Sequence, residues 1–177
     1  GYFGIIPLFF AFFAMIFSRK NSFVRFFSIV FVVSILLSLK GLGELLYILR
    51  IPLITSGSGE RIFTLVLFSG TFLSGFGLSA FMVMADRKKQ FFSILGFILL
   101  FFIVMVSSFA LHINSSQAVL LQHIKFPFII LGIFSIGSLI YLWLLSWKKQ
   151  NQPLKIIFLL FIMAITFFDL FRFGYRF

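Results

Sequence analysis

The sequence predicts an all-α, polytopic membrane protein of about six transmembrane helices with one interfacial amphipathic helix. Three observations predict it. Hydrophobic residues make up 62% of the 177 positions and charged residues 11%. A soluble domain of this size could not hide that much apolar surface, whereas a bilayer accepts it. Basic residues gather in three small clusters, Arg19-Lys20, Arg87-Lys88-Lys89 and Lys148-Lys149, which recur about every 60–70 residues. Each cluster sits between two long apolar stretches, as short loops retained on the cytoplasmic side do. Cysteine is absent, so there is no disulfide framework, thiolate metal site or cysteine nucleophile.

The apolar segments follow in order: about Tyr2 to Phe17, Phe23 to Leu39, Ile62 to Met84, Phe91 to Leu111, Phe126 to Trp147 and Leu154 to Leu170. About 20 residues span a bilayer core, so the third to fifth are comfortable and the second and sixth are marginal. Arg25 lies near one end of the second, where its side chain can snorkel. The sixth follows Pro153 and carries Lys155 in its first turn. In the third, small residues recur four apart, at Gly70/Ser74, Thr71/Gly75 and Gly75/Ser79. That spacing lets helix backbones approach closely; a substrate groove along this helix is the other reading.

Charge sets the orientation. Arg19, Lys20, Arg25, Arg87, Lys88, Lys89, Lys148, Lys149 and Lys155 fall inside, against Asp86. Lys40, Arg50, Arg61, Lys125, Arg172 and Arg176 fall outside, against Glu44, Glu60 and Asp169. The inner loops are also shorter, so both chain ends are expected outside. The net charge of +11, from 15 basic and 4 acidic residues, then reflects topology and contact with anionic lipid head groups rather than nucleic acid. The membrane bundle is expected over residues 1–170. Residues 171–177 are expected to open an external segment, because Phe171, Phe173, Tyr175 and Phe177 alternate with Arg172, Gly174 and Arg176 as in a strand. The start at Gly1, directly in an apolar run without a basic leader, reads as a piece of a longer chain.

The outer loops offer the chemistry. Between Lys40 and Arg61, Leu42, Leu45, Leu46 and Leu49 fall on one face of a helix. This is the interfacial helix, near residues 41–50 and ending near Pro52. Thr55-Ser56-Gly57-Ser58-Gly59 follows as a tether. Arg50 and Arg61 then lie at head-group level and are the candidate lipid-phosphate ligands, since guanidinium groups grip phosphate through two parallel hydrogen bonds. A plain connector with hydrated charges is the structural alternative. The loop from His112 to Lys125 carries His112 and His123 without a nearby carboxylate, so no metal site is expected. Asn114-Ser115-Ser116 fits a glycosylation acceptor pattern that is common by chance. Asp169 at the end of the sixth segment opposes the helix dipole, and a structural ion pair with Arg172 would relieve it. No nucleophile motif, phosphate-binding glycine loop or acid pair is present, so no catalytic residue is assigned here. No cofactor is identified, and a divalent metal held elsewhere in a longer protein stays open.

Several segments resemble the YfhO-like bacterial membrane proteins. Gly1-Tyr2-Phe3-Gly4-Ile5-Ile6-Pro7-Leu8 is similar to that family's "Y-x-G-x-x-P-L" helix start. Lys40-Gly41-Leu42-Gly43, Ile51-Pro52-Leu53 and Arg61-Ile62-Phe63 resemble its "G…P…R-F" outer loop. Leu73-Ser74-Gly75-Phe76-Gly77-Leu78 resembles its "L-A-G-x-G-L" helix, and Asp169-Leu170-Phe171-Arg172-Phe173-Gly174 the junction to its external domain. The pieces are scattered over the chain in the right order. Before Arg61, where the family pattern has a second Arg and a Pro, this chain has Ser58-Gly59-Glu60. The resemblance implies a multi-pass protein of the bacterial plasma membrane akin to the GT-C glycosyltransferases. Those enzymes transfer sugar from a polyprenyl-phosphate carrier to an acceptor outside the cytoplasm, and YfhO-like proteins are linked to glycosylation of envelope polymers such as teichoic acids. The catalytic carboxylate of that class lies in the first outer loop, upstream of these residues. The partners implied are membrane lipids, a polyprenyl-phosphate sugar and the remaining helices of the parent chain. A transporter or flippase subunit, or a non-catalytic scaffold, stays open as the alternative.

Overall fold

The computed structural model describes residues 4–38, 58–84, 86–111, 117–147 and 152–175. They form six helices and, among the described residues, no strand: α1 (Ile5–Phe17), α2 (Ser22–Ser38), α3 (Ser58–Val83), α4 (Arg87–Leu111), α5 (Gln117–Trp147) and α6 (Gln152–Tyr175). The six helices fall on the six apolar segments. Three of them contain stretches long and apolar enough to cross a membrane, Ile62–Val83, Phe126–Leu145 and Gln152–Arg172. The 13 residues of α1 and 17 of α2 rise about 20 and 26 Å, short of a ~30 Å hydrocarbon core.

Two boundaries correct the sequence reading. The expected strand is instead helix over residues 171–175, since α6 runs on to Tyr175; residues 176–177 lie outside the described residues. Seven residues of apolar–basic alternation fit a helix end as well as a strand. The loop expected from His112 to Lys125 is shorter, because α5 begins at Gln117 and carries His123 and Lys125. Pro127 lies inside α5 rather than at its start. A proline removes one backbone donor from the ladder, which membrane helices tolerate when neighbours satisfy the freed group. The expected interfacial helix at residues 41–50 lies outside the described residues.

The chain divides into two compact units. In the first, which holds Pro7–Phe81, α1, α2 and α3 share a buried cluster of Ala11, Ala14, Val24, Phe31, Val66 and Leu73. Arg19 Nε donates to the Met15 carbonyl at 3.0 Å, satisfying an orphan acceptor at the end of α1. Asn21 Oδ1 accepts from Phe23 N–H at 2.9 Å and so caps α2. The core of this unit is aromatic. Phe81 meets Phe9, Phe10 and Phe13 edge-on, with centroids 6.1, 5.8 and 5.2 Å away. Phe27 stacks on Phe72 at 4.7 Å.

The buried row of α3 is Val66, Ser69, Gly70, Leu73, Gly77 and Phe81. Of the three small-residue pairs, Gly70/Ser74 lies on or beside this row, and the other two need correction. Thr71, Gly75 and Ser79 are exposed, and a Cβ at Gly75 would meet nothing. A Cβ at Gly77 would overlap the backbone carbonyl of Phe10. The close approach therefore sits on the row of Gly70 and Gly77, where a backbone neighbour cannot give way, rather than that of Thr71, Gly75 and Ser79.

In the second unit, Gly4–Ile6 and Met82–Phe177, α5 packs against both α4 and α6. Asp86 caps α4: its Oδ1 accepts from Lys89 N–H at 3.3 Å, and its Oδ2 lies 3.4 Å from the Lys89 ammonium. The buried amide of Gln90 donates to the Met84 carbonyl at 3.3 Å, closing the same turn. Pro153 sits in the first turn of α6, where no backbone donor is needed.

Gly77→Ala should destabilise the first unit by about 1–3 kcal/mol through overpacking against fixed backbone. Gly75→Ala should be neutral or stabilising by up to ~1 kcal/mol from helix propensity. Thermal unfolding of the two variants in detergent checks this; equal melting temperatures would refute the assignment of the contact row.

Candidate functional site

The structure gathers polar chemistry at two places in the second unit. The first is the end of α6. Asp169 is 3% exposed, and its Oδ2 accepts from the Ile5 amide at 3.3 Å. The local sequence explains why a distant residue is used. A helix start leaves four N–H groups without intrahelical acceptors. At α1 the preceding residue is Gly4, whose φ of 86° turns the chain into the helix and whose missing side chain cannot cap. Pro7 removes one of the four donors outright. The carboxylate of Asp169 then supplies the capping oxygen, at the end of α1 where the macrodipole favours negative charge.

Arg172 stands one turn further along α6. Its guanidinium carbon lies 3.2 Å from the centroid of the Phe126 ring, a cation–π contact across to α5. Phe126 also faces Phe168, at 6.1 Å. Of the other candidates, Arg50 lies outside the described residues. Arg61 falls in the first turn of α3, and its side chain lies outside them too. Asp169 and Arg172 thus belong to one end of the second unit. Among the described residues no three His, Asp or Glu come together as metal ligands.

The second place is a groove between the end of α5 and the start of α6, with a volume of about 220 Å³. It is lined by Gly137, Ile140, Tyr141 and Leu144 from α5 and Leu154, Ile157, Phe158 and Phe161 from α6. Tyr141 is 2% exposed and stacks on Phe158 at 3.9 Å. Its hydroxyl and the Ser138 hydroxyl, one turn earlier, are buried without a hydrogen-bond partner among the described residues. The sequence reading missed this place. The available signal was Gly137-Ser138 followed by Tyr141, small and polar residues on one face of an otherwise apolar segment.

Two outcomes follow. Asp169→Ala should cost about 0.5–2 kcal/mol as a lost cap, while Asp169→Asn keeps an acceptor and should cost less; melting curves of the two variants decide it, and equal losses would point to the charge alone. Asp86 titrates below the usual carboxylate range, chiefly because the Lys89 N–H donates to it; desolvation opposes this, and the Lys89 ammonium adds to the lowering. A depressed pKa makes the cap's contribution present above the ordinary aspartate range and lost as pH falls through the lowered value. Carbon-13 titration should show the low midpoint in the wild type and a rise in Lys89→Pro, which removes both the N–H and the ammonium; an unchanged midpoint would refute it.

No family model, no curated protein and no solved structure matches the chain.

Proposed function

We propose that this chain is part of a multi-pass membrane domain that presents a polyprenyl-phosphate-linked sugar for transfer to a cell-envelope polymer, as in the YfhO-like proteins it resembles. The catalytic carboxylate comes from outside these residues. All six helices cross the bacterial plasma membrane in this reading, with the basic links cytoplasmic and both ends external. Arg50 and Arg61 meet the donor phosphate, and the interfacial helix near residues 41–50 guides the prenyl chain.

The observation that carries the reading is the partition of charge. Every charged side chain that the structure describes lies in a link or in the first or last two turns of a helix: Arg19, Lys20, Arg25, Asp86, Arg87, Lys88, Lys89, Lys155, Asp169 and Arg172. A transporter or pump would favour ionisable residues or broken helices near mid-membrane to form a pathway. Charges at the ends suit a lipid substrate, whose phosphate sits at the interface and whose chain needs only apolar surface.

Sugar transfer by the full-length protein from a polyprenyl-phosphate donor tests it. Arg61→Ala should lower transfer at limiting donor by about 10–100-fold, the worth of a charge-assisted hydrogen bond to phosphate. Arg61→Lys should fall between, since it keeps charge but loses the planar fork. Wild-type rates in both variants would remove Arg61 from the site. For the topology, a cysteine at Lys88 should resist an impermeant reagent in intact cells; labelling from outside would overturn it.

A further inference from the structure

We propose that the groove between the end of α5 and the start of α6 holds one acyl chain of an anionic glycerophospholipid, whose head group is met by the cations clustered at that end of the second unit. This is independent of the sugar-transfer reading and concerns a different lipid. The groove wall suits an alkyl chain. Apart from the Tyr141 hydroxyl, its eight lining residues offer only hydrocarbon side chains and Gly137. Its volume of about 220 Å³ falls below the ~300–1,000 Å³ of pockets that enclose compact ligands.

Charge complementarity selects the lipid. Lys155, three residues before Phe158, shares its side of α6 by helical spacing. The sequence joining α5 to α6 adds Lys148 and Lys149 and no acid. Arg87 opens α4, which packs against α5 and is separated from it by only five residues of sequence, so the start of α4 lies toward the end of α5. So among the described residues this end of the unit carries Arg87, Lys88, Lys89 and Lys155 against Asp86, and Asp86 is engaged by Lys89. The Tyr141 hydroxyl, buried and without a partner among the described residues, supplies a donor for a lipid ester or phosphate oxygen. Juxtamembrane cations favour anionic lipid by about fivefold each.

Native mass spectrometry of the full-length protein, delipidated and titrated with dioleoyl phosphatidylglycerol or dioleoyl phosphatidylcholine, tests the assignment. One phosphatidylglycerol should survive activation that strips the others, with a preference of about fivefold or more over phosphatidylcholine. Lys155→Gln should cut that preference by about fivefold. Ile140→Trp places a ring across the groove from a position 52% exposed, so it should fold normally and retain neither lipid. Gly137→Ala should weaken retention as well, because its methyl displaces the Phe161 ring. Equal retention of the two phospholipids, unchanged retention in Ile140→Trp, or displacement of phosphatidylglycerol by a polyprenyl phosphate at equal concentration would each overturn the proposal.

Discussion

In lipid, a backbone N–H or C=O without a partner costs several kcal/mol, so each helix end has to find one. The bond from the Ile5 amide to Asp169 is the clearest case, because it joins residues 164 apart in sequence. Gly4 can turn the chain but cannot cap, and Pro7 can begin a helix but cannot donate. The acceptor has to come from elsewhere, and with four acids in the whole chain a buried carboxylate is a scarce resource. Its placement at a helix N-terminus, where the dipole favours it, explains how Asp169 tolerates burial. Three other described ends solve the same problem locally: Arg19 on the Met15 carbonyl, Asn21 on Phe23, and Asp86 on Lys89. The links at those ends are short, so the capping groups are close in sequence.

Most of the helical layout was legible, because apolar runs bounded by charges leave few other options for a chain in lipid. Boundaries were less so, for identifiable reasons. Pro127 looked like a helix start, and the polar run before it, with His123 and Lys125, looked like a loop. The propensities of Gln117-Ala118-Val119-Leu120-Leu121 carry α5 through both. Over residues 171–177 the alternation was too short to separate period 2 from period 3.6, and continuation of α6 wins where Arg172 reaches Phe126. In α3 the presence of small residues was legible but not the row that uses them. Four-residue repeats select two neighbouring rows equally well, and only the position of Phe10 decides for Gly77.

The candidate phosphate ligands show the limit more sharply. Arg50 and Arg61 were reached from loop chemistry and a family resemblance, and neither side chain falls among the described residues. By contrast, Tyr141 and Ser138 were announced only by small and polar residues on one face of an otherwise apolar segment. A hydroxyl inside an apolar helix is usually satisfied by the carbonyl one turn back, as Ser135 is by Leu131 at 2.6 Å. Tyrosine cannot do this, because its oxygen lies too far from its own backbone. A buried tyrosine therefore needs a partner from another element, and that requirement becomes visible only once the neighbours are placed.

Two glycines show how one substitution pattern has opposite structural meanings. At Gly77 the missing Cβ admits a backbone carbonyl, which is held by its own helix and cannot move. At Gly137 it admits the edge of the Phe161 ring, which can rotate about its side-chain torsions. The first contact fixes a helix pair at one separation. The second sets a separation that the ring can adjust, so the space beside it is adaptable rather than sealed. Adaptable apolar space next to clustered cations is what a phospholipid chain needs, since its conformation varies while its head group stays at the interface. The same residue type thus admits a backbone contact in one unit and borders an apolar groove in the other.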